Sequence, residues 1–82
     1  MTLQEKIDKL PLSIKYNDRV YNLRICTYKE NIYLEYRFDD VQLFGLTDDR
    51  ILLKTSFRLE ELVDRALTII ENKEWENDNR KT

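Results

Sequence analysis

Apolar residues recur at every second position between residues 12 and 38, and no other feature of this chain restricts its fold as much. A period of two sends successive side chains to opposite faces of an extended strand, leaving one face apolar and the other polar. Leu12, Ile14 and Tyr16 alternate with Ser13 and Lys15. Tyr21, Leu23 and Ile25 alternate with Asn22, Arg24 and Cys26 and run on to Tyr28. Ile32, Leu34, Tyr36 and Phe38 alternate with Tyr33, Glu35 and Arg37. Residues with turn chemistry separate the runs, at Asn17, Asp18 and Arg19 and again at Lys29, Glu30 and Asn31. Connections this short join antiparallel neighbours, so the sequence predicts an antiparallel meander.

Asp39 and Asp40 suit a further tight turn, after which residues 41–46 return as a fourth strand. Gly45, the single glycine, would mark a bulge or bend there. Residues 47–50 read as another turn, and Ile51, Leu52, Leu53, Lys54 and Thr55 as a short apolar fifth strand. The period then changes to 3.6. Leu59, Leu62, Val63, Ala66, Leu67 and Ile70 form the stripe of an amphipathic helix expected to run to about residue 74. Ser56 is its expected N-cap, Glu60, Glu61 and Asp64 lie toward its positive end, and Glu61 and Arg65 form an i, i+4 pair.

At the other end, Thr2 and Glu5 have capping-box spacing, Leu3, Ile7 and Leu10 share one helical face, and Pro11 stops the helix. The expected fold class is therefore α+β. It comprises a short N-terminal helix, an antiparallel β-meander of four or, with 51–55, five strands, and a long C-terminal amphipathic helix packed on one sheet face. The expectation is one domain over residues 1–76, with a polar tail at 77–82 that frays.

Eighty-two residues bury only about 60–65% of the surface the unfolded chain exposes, which leaves a thin core and little support for a strained catalytic centre. There is no histidine, so the commonest general base and metal ligand are missing. One cysteine makes neither a thiolate zinc site nor an internal disulfide, and one glycine cannot line a phosphate loop. Cys26 reads as a small half-buried hydrophobe, and the Asp39-Asp40 and Asp48-Asp49 pairs as turn residues, since the EF-hand ligand pattern is absent. Sixteen acidic against fourteen basic residues give a net charge of −2, far from the imbalance of a basic nucleic-acid binder. The first six residues lack the pattern of a secretory signal and no apolar run approaches a membrane span, so a cytoplasmic location is expected. No enzyme, cofactor, metal or membrane role is expected.

Two surfaces stand out as candidate sites. On the long helix, Glu60, Asp64 and Glu71 form a ridge away from the apolar stripe, with Phe57 and Trp75 near its two ends. If the helix persists, Phe57 and Trp75 are aromatic anchors beside an acidic strip and suit a protein partner. If it ends earlier, Trp75 folds back onto the sheet edge or the N-terminal helix. The second surface is the outward sheet face, where Lys15, Arg24, Tyr28, Tyr33 and Arg37 interleave aromatic and basic side chains around Glu35. That pattern suits single-stranded nucleic acid, although Tyr and Glu–Arg pairs also stabilise any exposed sheet. The leading expectation is a non-enzymatic interaction module, a small regulator, inhibitor or assembly subunit. It would bind another protein or itself, as a homo-oligomer. The alternative is a single-stranded nucleic-acid-binding module.

Overall fold

A computed structural model describes residues 2–78 of the chain. The alternating runs form strands β1 (Ser13–Tyr16), β2 (Arg19–Tyr28) and β3 (Asn31–Phe38), and the chain returns once more as β4 (Val41–Asp48). The four lie in one antiparallel sheet in sequence order. Asn17 and Asp18 both have positive φ, 53° and 65°, as do Lys29 and Glu30, 50° and 69°. Two consecutive residues of that conformation make the hairpin turn whose twist matches the strands it joins. Asn and Asp tolerate it well; Lys and Glu adopt it against their preference because the flanking ladder fixes the register.

The alternation sets the burial. Ile32, Leu34 and Tyr36 of β3 are buried, as is Tyr21 of β2, while Tyr33, Glu35 and Arg37 face outward and are only partly covered. The apolar face is covered by two helices, α1 (Leu3–Lys9) and α2 (Thr55–Asn72), whose Leu62, Val63 and Ala66 complete the core. Leu59, Leu67 and Ile70, the flanks of the predicted stripe, pack against it together with Leu3 and Ile7. The capping box forms, with the Glu5 amide donating to Thr2 Oγ1 (3.2 Å) and the Thr2 amide to Glu5 Oε1 (3.1 Å). The Tyr36 hydroxyl donates to the Pro11 carbonyl at 2.7 Å, which ties the connection after α1 to the sheet. Burial pushes that phenol up to about 12.

Four expectations are corrected. Residues 51–55 do not form a strand; 51–53 are turn and bend, and Thr55 already begins α2, one residue before the expected Ser56 cap. Lys54 stands at the N-cap with no side-chain hydrogen bond. The bulge lies at Leu43, the extra residue between the pairs Tyr36–Phe44 and Arg37–Gln42, and not at Gly45. Gly45 has a different cause: a Cβ there would meet Gln42 Nε2 at 2.5 Å, because the Gln42 side chain crosses that position. Finally, Glu61 pairs with Arg50 and not with Arg65. The fraying expected of 77–82 falls in part on residues 79–82, outside the described ones; the backbone of residues 77 and 78 belongs to a last short helix, α3 (Glu74–Asp78).

The long helix ends at Asn72. Lys73 takes the left-handed conformation (φ 49°, ψ 50°) and its amide turns back to the carbonyls of Ile69 and Ile70, a C-terminal cap that redirects the chain. Trp75, in α3, therefore does not continue the outer ridge. Its ring stacks on Phe44 of β4 (5.9 Å between centroids, 3° between planes) and meets Tyr16 of β1 edge-on (6.5 Å, 75°), leaving 9% of the residue exposed. One indole thus bridges the two outer strands of the sheet. Replacing it with alanine removes the bridge and opens a cavity, for which Trp75→Ala is expected to cost about 3–5 kcal/mol of unfolding free energy in urea denaturation. A cost below about 1 kcal/mol would place the indole outside the cooperative core.

Candidate interaction surfaces

The acidic ridge on α2 is not open along its length. Lys6 of α1 reaches across to it and donates to Glu60 at 2.8 Å, and its ammonium lies 3.1 Å from Asp64. These bonds raise the lysine pKa and tie α1 to α2. Two of the three acids expected to meet a partner thus hold the fold together, and Trp75 is in the core. Glu71 and Phe57 are exposed as the helical phase requires.

The outward sheet face carries the residues placed there by alternation. Register sets Arg24 opposite Glu35, Cys26 opposite Tyr33, and Asn22 opposite Arg37, with Tyr28 beyond them. Lys15 lies on the same face, opposite Val20. The charges on this face are turned toward one another. The Glu35 carboxylate accepts from Gln42 Nε2 at 2.7 Å and from Arg37 Nη1 at 3.4 Å, and lies 3.9 Å from Arg24. Arg37 also donates through Nε to the Asp39 carbonyl at 3.0 Å. A shallow concavity of about 370 Å³ lies over Gly45, bordered by Arg24, Cys26, Tyr33, Glu35 and Thr47. The missing side chain of Gly45 forms its floor. Cys26 is half-buried here and free, as its strand position predicts.

The third surface was not singled out by sequence reasoning. Between β4 and α2 the chain presents Ile51, Leu52 and Leu53 in succession, and Phe57 follows in the first turn of α2. All four are exposed, and Leu52 is 96% exposed. The signal was present as an apolar run, but a run of that length reads equally as a buried strand.

What keeps this loop in place is buried. Asp48, at the end of β4, and Arg58, in the first turns of α2, are 5% and 4% exposed. Arg58 donates through Nε to Asp48 Oδ1 (3.1 Å) and through Nη2 to the carbonyls of Glu30 (2.7 Å) and Asp48 (2.9 Å). Arg50 clasps the same carboxylate through its side chain and donates its backbone amide to Oδ1 at 2.9 Å, while its guanidinium also pairs with Glu61. Within the loop, the Ile51 amide donates to Asp49 O and the Leu53 amide to Arg50 O, each at 3.0 Å. Sequence offered one clue to the pair: Arg58 stands four residues before Leu62 on the core-facing stripe, where a charge needs a buried partner.

The Arg50 guanidinium and amide, with Arg58, hold the Asp48 carboxyl well below its ordinary value of 3.8, against the opposing effect of its burial. A carboxylate whose folded-state pKa is depressed adds stability above its unfolded value and loses it as pH falls through the folded one. Asp48→Asn leaves Arg58 buried with no counter-charge, so the variant should be less stable than the parent at pH 7 in urea. The gap should narrow as pH drops below about 4; a gap that stays constant down to pH 2 would show that Asp48 does not stabilise the fold as a carboxylate. Comparison with protein-family models, with curated proteins and with solved structures finds no match to this chain.

Proposed function

We propose that the protein is a non-enzymatic interaction module, a small regulator, inhibitor or assembly subunit, and that it binds another protein through the pole formed by Ile51, Leu52, Leu53 and Phe57. The observation that carries this reading is the near-complete exposure of Leu52 in a loop held at both ends by the Asp48, Arg50 and Arg58 network. Burying one leucine side chain is worth about 1.5–3 kcal/mol, and the cost of leaving such a group in water is offset when a partner covers it. The four side chains together expose on the order of 400 Å², the size of the largest apolar patch on a typical monomer, which is often a functional one. The loop's position is fixed before binding, so little ordering entropy is lost when it docks, which suits a set of binding hot spots.

A catalytic reading has less support. The outer-sheet concavity holds one carboxylate, Glu35, and that group is turned toward Arg37 and Gln42. The same pairing weighs against nucleic acid on this face, because Arg37 is directed toward an acid on its own sheet and the Asp39 carbonyl.

The test is affinity capture from cells that naturally contain the protein, with nuclease present, using the parent chain and the variants Leu52→Asp and Phe57→Asp. Both substitutions lie on exposed side chains and should shift stability by no more than about 0.5 kcal/mol. The expected result is a small set of proteins retained by the parent and reduced at least tenfold by either variant. Identical capture by all three would remove the pole as the binding surface.

A further inference from the structure

We propose that the partner docks as an extended segment that adds a fifth strand to the free edge of β2 at residues 25–28. This deepens the reading of the pole as a docking surface and rests on it. Strand β1 pairs with β2 only from Arg19 to Asn22, and one further bond, from the Leu23 amide to the Leu12 carbonyl (2.9 Å), closes that ladder. Strand β2 runs on to Tyr28 with β3 on one side alone. Since the Leu23 amide points to the β1 side, the amides and carbonyls of Ile25 and Thr27 point the same way. Among the described residues none of these four groups has a hydrogen-bond partner. The segment has no proline, no bulge and no charge on the core side; its charges, Arg24 and the adjoining Lys29, lie on the outer face.

Side chains mark the same gap. Ile25 sits on the core-facing side, opposite Leu34, yet is 37% exposed, because no strand continues its row beyond β2. In the next row, Thr27 and Ile32 border a cleft of about 320 Å³ whose other walls are Glu30, Ile51, Leu53, Thr55 and Arg58. An added strand would therefore set its core-side residues against Ile25 and into this cleft, beside the apolar pole. On the outer face the edge carries Arg24 and Tyr28, and the Lys29 ammonium lies 5.4 Å from the Tyr28 ring centroid. Cations at both ends of the outer face suit acidic residues between the apolar ones. The occupant is thus an extended segment with apolar residues at alternate positions and acidic residues between them.

A symmetric second copy fits poorly. In the twofold register that satisfies all four backbone groups, Tyr28 of the second copy falls opposite Arg24. That is one strand residue, about 3.4 Å, from the slot that Leu12 already fills. Even covalently bonded Cα neighbours stand about 3.8 Å apart. A free-ended segment that stops opposite Ile25 and covers Ile25 to Tyr28 has no such conflict.

The test is amide hydrogen exchange by NMR on the full chain, alone and with a pool of heptapeptides. These carry Val, Ile, Leu or Phe at three alternate positions and Asp or Glu at the rest. Without peptide, Ile25 and Thr27 should exchange faster than their neighbours in the β2–β3 ladder. Peptide at about 1 mM should slow both at least fivefold, and the same peptides N-methylated at alternate amides should not. Thr27→Pro, which removes an outward donor and leaves the ladder to β3 intact, should abolish the slowing. If that variant unfolds, the methylated peptides decide alone. No slowing, equal slowing by methylated peptides, or slowing confined to β4 overturns strand addition. If these failures coincide with partner proteins that Leu52→Asp still loses, the docking pole stands and only the strand is removed. Concentration-dependent dimerisation in light scattering that protects Ile25 and Thr27 without peptide would instead make a second copy the occupant.

Discussion

Three separate parts of the chain converge on the ion pair between Asp48 and Arg58. Asp48 closes the last strand, Arg58 opens the long helix, and the Glu30 carbonyl that also accepts from Arg58 lies in the turn between the central strands. An ion pair taken out of water gains little unless its remaining donors and acceptors are met. Here both backbone carbonyls within reach accept from the guanidinium, and the carboxylate takes a second arginine. The geometry leaves few alternative positions for the helix start relative to the sheet. The exposed loop between Asp48 and Arg58 inherits that definition, which is why an apolar segment with few tertiary contacts of its own can still present fixed side chains.

At the opposite end the constraint is steric. The left-handed Lys73 reverses the chain and drops Trp75 across Phe44 and Tyr16, so the last aromatic closes the open side of a four-strand sheet. Aromatic pairs at these separations contribute about 0.5–1.5 kcal/mol each beyond their burial. Among the described residues the indole nitrogen has no hydrogen-bond partner, a cost set against the bridging of both outer strands. Lys6 in turn clamps α1 onto α2 and engages two acids of the helix's ridge, Glu60 and Asp64.

The sheet is asymmetric about β2. A four-residue β1 cannot cover a ten-residue β2, so the middle of the meander becomes an edge over half its length. That bare edge, the exposed Ile25 and the apolar loop all lie toward the same end of the sheet, where Thr27, Ile32, Ile51 and Leu53 share one cleft. Backbone groups that call for an extended chain and side chains that call for apolar cover are therefore adjacent.

The local periodicities were enough to define most of the architecture. Alternation from Leu12 to Phe38 placed the three hairpin strands and their outward residues, and the 3.6 stripe identified Leu62, Val63 and Ala66 as the helix's core contacts, because both signals are carried by neighbours in sequence. The capping box at Thr2 and Glu5 was legible for the same reason. Where a residue's environment depends on distant segments, the pattern was silent or misleading. For Trp75 the sequence left two alternatives, an anchor on a straight helix or a ring folded back onto the sheet edge, and the left-handed turn at Lys73, a residue whose type gives no hint of it, decides for the second. Glu60 and Asp64 looked free because Lys6 is more than fifty residues away in sequence. The run Ile51, Leu52 and Leu53 suits a buried strand by composition. Only the tertiary structure decides that the Asp48 and Arg58 pair ends the sheet before it and leaves those side chains in water.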